Sequence, residues 1–350
     1  MKKIKNPIVA MLVLATVLML TQACKKNNNS ADYNSNKTTL SKVIDSLTTV
    51  YGTATEGKQA GNYTIGSKAA LQAALSLAAS VKSGSFTQQE VNNAVANLRR
   101  AGVQFSVNLI QEISAANLIA SWKFNGDAKD ASGNAHDGTL KTGWVGVYGA
   151  PAVDGGTLPV LVADRFGVAN QAYDFNNGAY IEVPYQASLR PSSFTICAWI
   201  KPHVASNGNY IFSLNRWLGY KFQLQSGNLP FLTVMTTTGD HDQDSGGASV
   251  QLDKWSQVVV SFTNGTAKFY INGSLVKTAA ITGDPTSLTS PPPVAIGNEL
   301  PKSAYNFTDP NSPNAYYGGN YFIGSMDDIH LYNKVLSDSE VKSLYTMEQP

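Results

Sequence analysis

Asp240, Asp242 and Asp244 alternate through the stretch TGDHDQDSGG. On a strand, every second side chain shares a face. Two carboxylates facing one cleft, ~5–5.5 Å apart for retention or ~6.5–9.5 Å for inversion, are what glycoside hydrolysis requires. The same alternation of acidic oxygens suits a hard cation such as calcium. The second half of the common calcium loop is missing, however, with Ser245 and Gln251 standing where it has Gly and Glu. Gly239, Gly246 and Gly247 argue for a loop tip, between a strand ending near Thr237 and one beginning near Trp255, in which the acids are solvated. A second cation candidate is the turn of Asn125, Asp127, Asp130 and Asn134, which Asx-turn hydrogen bonding explains equally well.

Recognition without catalysis needs other residues. A sugar is held by an aromatic ring against the apolar face of its pyranose and by Asp, Asn or Arg at its hydroxyls. SLNRWLGYKF brings Asn215, Arg216, Trp217 and Tyr220 close together, and the long segment 300–321 adds Tyr305, Tyr316 and Tyr317 among Asn, Pro and Gly. For each aromatic a packing role is the competing explanation. The reading centres binding on Arg216, Trp217 and Asp240–Asp244. Four scattered histidines support no Ser-His-Asp or Cys-His set, and Cys197, inside the apolar run Phe194–Ile200, reads as a buried small hydrophobe.

These residues need a scaffold, which begins with an export signal. Lys2, Lys3 and Lys5 precede an apolar run from Ile8 to Leu20 that is short for a membrane span and ends in Thr21, Gln22, Ala23 and Cys24. Removing residues 1–23 takes away three lysines and no acid, moving the formal charge from +2 to −1. The basic stripe expected of a nucleic-acid binder is missing. Residues 24–37, rich in Lys, Asn and Ser, read as a flexible tether. Three stripes at helical spacing follow: Leu40, Val43, Ile44, Leu47, Val50 and Tyr51; Leu71, Ala74, Leu75, Ala78 and Val81; and Val91, Ala94, Val95 and Leu98. Thr87 and Glu90 form a capping box for the third. A three-helix module over residues 38–115 is expected.

After Ile113 the period changes to two, with Gly, Asn, Asp and Pro punctuation, and Asn264-Gly265 and Asn272-Gly273 are hairpin turns. A domain over residues 116–350 is expected, mainly β, a two-sheet antiparallel jelly-roll sandwich closed by one helix that Ser337 and Glu340 cap. Trp122 and Phe124 alternate inward, and Trp199 and Trp255 fall among apolar strand residues as core.

Three resemblances sharpen this reading. The small residue before Cys24 is similar to the lipobox of bacterial lipoproteins, which implies an acylated cysteine, a lipid anchor and a place in the cell envelope, at the outer membrane, with its face left open. GNYT and FTQQEVNNAVANL resemble the FIVAR-type helical modules that serve as spacers. LIASWKFNGDAKDASGNAHDGTL, YDFNNGAYIEVPYQASLRPSSFTICAWIKP, KWSQVVVSFTNGTAKFYINGSLV, VAIGNE and FIGSMDDIHLYNKVLSDSEVKSLY resemble, in order, the LamG-like jelly rolls of the concanavalin A-like lectin and glucanase superfamily.

The last resemblance implies a lectin-like, non-catalytic module that binds carbohydrate. The alternatives are a protein-binding or adhesive module on a helical stalk, or a glycoside hydrolase. The laminarinase-like glucanases of that fold carry E-x-D-x-E or E-x-D-x-x-E on one strand. Glu182, Glu299, Glu340 and Glu348, the glutamates of the domain, form no such pattern. The resemblance also raises a structural calcium ion at the turn of Asp127 and Asp130, beside the calcium site that the spacing of Asp240, Asp242 and Asp244 suggests. No other cofactor is expected, and the expected partners are a glycan or a surface protein.

Overall fold

The computed structural model describes residues 33–146, 150–318 and 320–350. The signal segment, Cys24 and the first part of the tether lie outside the described residues.

Three packed helices come first: α1 (Thr38–Thr53), α2 (Ser67–Ser83) and α3 (Gln88–Ser106). Their stripes supply the buried positions Leu40, Leu71, Leu75, Ala78, Val91, Val95 and Leu98. The capping box forms as its spacing predicts: Thr87 N donates to Glu90 Oε2 at 2.8 Å, and Glu90 N donates to Thr87 Oγ1 at 3.4 Å. Residues 33–53 and 69–104 form one compact unit, and residues 54–68 and 105–350 form a second.

The second unit is an antiparallel sandwich. Its strands are β1 (Leu118–Trp122), β2 (Thr139–Thr142), β3 (Trp144–Val145), β4 (Val153–Asp154), β5 (Val160–Val162) and β6 (Ala172–Phe175). Then come β7 (Ala179–Val183), β8 (Phe194–Pro202), β9 (Asn209–Leu214), β10 (Tyr220–Gln225), β11 (Leu229–Thr236) and β12 (Gly239–Asp244). Last are β13 (Ser256–Thr263), β14 (Thr266–Ile271), β15 (Ser274–Ala279), β16 (Val294–Ile296), β17 (Gly324–Tyr332) and the terminal helix α4 (Asp338–Glu348). One sheet runs β15-β14-β13-β8-β17-β6-β5 with β1 also on β17; the other runs β12-β11-β10-β9-β16-β7-β2; β3 and β4 form a separate hairpin. Both Asn-Gly pairs are two-residue turns, between β13 and β14 and between β14 and β15.

Strand alternation sorts the side chains. Phe222 and Leu224 of β10 meet Ile196, Ala198 and Ile200 of β8 in the core between the sheets, together with Trp122 and Phe124. Cys197 and Trp199 therefore point out of the other face of β8, and α4 covers them. Cys197 is buried among Val259, Tyr332, Val341 and Leu344, where burial pushes its thiol pKa up. Trp199 stacks on Tyr345 at 5.7 Å and donates from Nε1 to Glu348 Oε2 at 2.8 Å. Trp199 is thus core beneath a helix, not core between sheets. Trp255 departs from its expected role altogether: it precedes β13, is half-buried, and carries Lys201 Nζ 5.4 Å from its ring centre.

Candidate functional site

The outer face of the second sheet is polar and mostly covered. Its registers place Thr139, Glu182, Ala295, Ser213, Lys221, Thr233 and Asp242 in one row across seven strands. Segment 299–318 roofs the middle of this row. Ser213 Oγ donates to Glu299 O at 2.6 Å, and Ser213, Lys221 and Thr233 are all buried.

Arg216 holds the roof down. After β9 the chain turns through Asn215 and Arg216 at positive φ (55° and 46°), which sends the guanidinium inward. Its Nη1 pairs with Glu299 Oε2 at 3.0 Å, its Nε donates to Pro313 O at 3.1 Å, and its Nη2 donates to Pro313 O and to Ala315 O. Glu299 Oε1 in turn accepts from Tyr305 Oη at 3.2 Å. Arg216 has no exposed surface, and Tyr220 is a core residue whose hydroxyl donates to Leu189 O at 2.6 Å. Both were candidate ligand contacts, and both are corrected to structural roles. Asn215, also a candidate, is buried in the turn.

Trp217 is half-buried, with the Arg216 guanidinium 4.1 Å from its ring centre and Tyr317 at 5.6 Å. Behind it, Lys221 Nζ lies among the rings of Tyr210, Trp217 and Phe231, at 5.3, 5.4 and 5.7 Å. Burial pulls the Lys221 pKa down to about 8, against the opposing pull of Asp242 and Glu299. The cage is filled by the chain's own cation.

The acidic stretch is not a loop tip. Asp240, Asp242 and Asp244 lie on β12, an edge strand paired with β11, and they share the outer face. Strand pairing with Thr233 and Met235 overrides the glycines flanking the stretch. Asp242 accepts from Thr233 Oγ1, while Asp244 accepts from Gly246 N at 2.7 Å and pairs with Lys277 at 3.3 Å. These contacts, led by the Gly246 amide, hold the Asp244 carboxyl below its usual pKa. Asp130 accepts from the amides of Ser121, Ser132 and His136 and from Ser132 Oγ, and Asp127 accepts from Lys129 N, so N–H and O–H donors already occupy the turn. Among the described residues no group of three or more His, Cys, Asp or Glu side chains is arranged to hold a metal ion.

A concavity lies beside this roof. A cleft of about 510 Å³, within the range of small-ligand sites, opens between the β3–β4 hairpin and segment 306–316. Three rings wall it: Phe307 meets Trp144 edge-on at 5.3 Å and 79°, and lies 5.6 Å from Tyr316. Tyr305 supports them from behind, 5.5 Å from Tyr316. Ala150, Pro151, Ala152, Pro310, Ala315 and Asn306 are its other lining residues among those described.

Glycines bring the hairpin this close. Gly143 N donates to Gly178 O at 2.7 Å and Gly155 N donates to Gly143 O at 2.6 Å. A Cβ on Gly143 would stand 2.6 Å from both Gly178 O and Asn298 Nδ2. Trp144 Nε1 donates to Lys302 O at 3.0 Å, and Lys302 Nζ lies 4.7 Å from the Trp144 ring and pairs with Asp154. Tyr316 was a candidate and lines the cleft. Tyr305 supports the cleft and Tyr317 packs on Trp217 instead. Trp144 and Phe307 were not singled out from the sequence. The glycines around Trp144 were the available signal, since glycine marks close backbone approach.

Residues 175–342 match the family model of the concanavalin A-like lectin/glucanases superfamily, and they form a concanavalin A-like LamG domain. No curated protein matches the sequence. Among solved structures, domain 4 of AbnA, a GH43 extracellular arabinanase from Geobacillus stearothermophilus, in complex with arabinotriose, is similar at 20% identity and TM-score 0.48. The alignment covers 65% of this chain and 98% of that one. The binding domain of Paraclostridial Mosquitocidal Protein 1 is similar at 18% identity and TM-score 0.45, over 66% of this chain and 52% of that one. Botulinum neurotoxin type C, whose cell entry is dependent upon interaction with two ganglioside molecules, is similar at 16% identity and TM-score 0.43, over 67% and 52%. The match thus spans about half the length of the two toxin chains.

Proposed function

We propose, starting from the concanavalin A-like LamG domain at residues 175–342, that this protein binds carbohydrate without transforming it, and that the ligand sits in the cleft of Trp144, Phe307 and Tyr316. The observation that carries the reading is the ring-walled cleft itself. Aromatic walls accept the C–H face of a pyranose, and the floor is set by a segment that a buried ion pair keeps rigid. Rigid walls lower the ordering cost of binding. The two glutamates of the outer face are not free for hydrolysis, because Glu299 is tied to Arg216 and Tyr305, and Glu182 to Tyr180 and Lys141. A general acid needs a carboxyl free to give and regain its proton at the scissile oxygen.

The test is a glycan array probed with the full-length protein in detergent and with its Phe307→Ala variant. Phe307 is 53% exposed, so its removal leaves the fold intact. Binding to defined glycans that the variant loses supports the reading; a silent array, with binding to envelope or surface proteins instead, replaces it with the adhesive one.

The same proposal places the protein at a membrane through an acylated Cys24, with the helices as a spacer and the outer membrane of a bacterial envelope as its site. One acyl-cysteine anchor is then the attachment, and Cys24→Ala should move the protein from the membrane fraction to the soluble fraction. Retention of the variant in membranes would refute this anchor.

A further inference from the structure

Trp144 stands on a hairpin with little to hold it, and what does hold it governs the cleft, an inference that rests on the carbohydrate reading. Strands β3 and β4 have two residues each and belong to neither large sheet. So small a ribbon is marginal by itself, and its tethers decide where it lies. The backbone bonds among Gly143, Gly155 and Gly178 fix the foot of the hairpin but not the plane of the indole.

Lys302 fixes the indole. Trp144 and Asp154 are cross-strand partners, so their side chains share one face of the hairpin. The Lys302 ammonium reaches both: it lies 4.7 Å from the Trp144 ring centre and pairs with Asp154. The Lys302 carbonyl accepts the indole N–H at 3.0 Å. Lys302 is itself seated on the sheet, because its N donates at 3.0 Å to the hydroxyl of Tyr180, a buried residue of β7 that donates in turn to Glu182 Oε2 at 3.0 Å. One residue therefore grips the ring by its N–H and its face, and carries the rigidity of β7 to the wall of the cleft.

The two grips differ in kind. The N–H bond is to the main chain, and any residue at that position keeps it. The ammonium contacts are electrostatic and partly in water, with 27% of the Lys302 side chain and 69% of the Asp154 side chain exposed, and salt screens such pairs. A surface ion pair adds little to the stability of a whole domain, but the placement of a ribbon without a core turns on small differences. We propose that Lys302 is the positioning residue of the sugar site, setting the ring plane of Trp144 through Asp154 and the cation–π contact, and that affinity for a neutral glycan therefore falls as ionic strength rises. Salt acts here on the wall of the site and not on the ligand.

Fluorine NMR of the full-length protein in detergent, labelled with 5-fluorotryptophan, reads the ring directly. The chain has five tryptophans, and Trp144→Phe identifies the line of interest by its loss. In the parent that line should be narrow at about 0.1 M NaCl and should broaden or split at about 1 M, where the screening length is about 3 Å. Lys302→Met, which keeps the main-chain bond, should give the broadened line at both concentrations, and Lys302→Arg should restore the narrow one. Asp154→Asn, a change at an exposed side chain, keeps the test decisive if Lys302→Met does not fold. The buried Trp122 and Trp199 serve as internal references. On the glycan array the parent's signals for neutral glycans should drop about threefold between the two salt concentrations. Lys302→Met should be weak at both, and Lys302→Arg should follow the parent. A Trp144 line as narrow in Lys302→Met as in the parent overturns the proposal. So do parent array signals that ignore salt, and neither result touches the carbohydrate reading. A silent array with a broadened Trp144 line does the reverse: it removes the carbohydrate reading and leaves Lys302 as the residue that sets the ring.

Discussion

Arg216 and Glu299 form an ion pair, Nη1 to Oε2 at 3.0 Å, in which neither side chain exposes more than 1% of its surface. The two residues are far apart in sequence, so the pair closes a long stretch of chain around the outer face of the sheet. Charges removed from water are costly unless each is paired and fully hydrogen-bonded. Here Nε and Nη2 donate to the carbonyls of Pro313 and Ala315 and the second carboxylate oxygen accepts from Tyr305, while Nη1 meets Glu299 through the ion pair alone. The pair therefore fixes the conformation of the segment that carries Phe307 and Tyr316.

Arg216→Met leaves the Glu299 carboxylate buried without a cation, and the Pro313 and Ala315 carbonyls without their donor. We expect destabilisation by about 3–5 kcal/mol in urea unfolding. The double variant Arg216→Met with Glu299→Met should recover much of that loss, because apolar replacement of a whole buried pair is close to neutral. A single variant as stable as the parent would show that the pair is not holding the segment.

The tryptophans should divide by burial. Trp122 and Trp199 are 0% and 2% exposed, and truncating either to Ala should cost about 3–5 kcal/mol. Trp217 is half-buried against Arg216, so Trp217→Ala should cost only ~1–2 kcal/mol, mostly the lost cation–π contact. Its effect on glycan binding should be small beside that of Trp144→Ala, since Trp217 does not line the cleft. Loss of binding in Trp217→Ala with the cleft variants unaffected would return the site to the 215–217 turn.

Alternation and turn chemistry made the sandwich legible: Asn264-Gly265 and Asn272-Gly273 locate two hairpins outright, and the matching pieces of LamG sequence appear in order. Strand β12 was hidden because acids and flanking glycines disfavour strand, and an edge position tolerates what an inner strand does not. Arg216 looked like a surface residue because its partner lies in a distant segment, and local sequence says nothing about which long-range pair will form. Local sequence is silent on Trp144 for the same reason. Its position depends on Gly143, Gly155 and Gly178 meeting from three parts of the chain.

Lys221 supplies a pH signature. Its pKa falls from 10.5 to about 8 in the folded chain, chiefly through burial. Between those values the unfolded chain binds a proton that the folded chain has released, so stability rises with pH across that window. The contribution is on the order of 3 kcal/mol between pH 8 and 10.5. In Lys221→Met the increment is missing, and the variant should be the more stable of the two at neutral pH, where the parent buries an ammonium among rings. Denaturant titrations of both proteins at intervals from pH 7 to 10.5 provide the check. Parallel stability curves would mean that the amine is not desolvated in the folded state.

The last expectation concerns how the cleft is built. Gly143 stands directly before Trp144, and a methyl group there would come within 2.6 Å of Gly178 O and of Asn298 Nδ2. Neither backbone can yield easily, because Gly143 N is bonded to Gly178 O and Gly143 O receives Gly155 N. Gly143→Ala should therefore push the β3–β4 hairpin off the sheet, costing about 1–3 kcal/mol in stability, as overpacking does. Trp144 would move with the hairpin and lose its hydrogen bond to Lys302 O. Glycan binding should weaken by more than tenfold, while Phe307 and Tyr316, held from the other side by Arg216, keep their places. Gly156→Ala is the control, since a Cβ on Gly156 meets nothing within 4 Å. If Gly143→Ala and Gly156→Ala bind alike, the hairpin does not set the wall of the site.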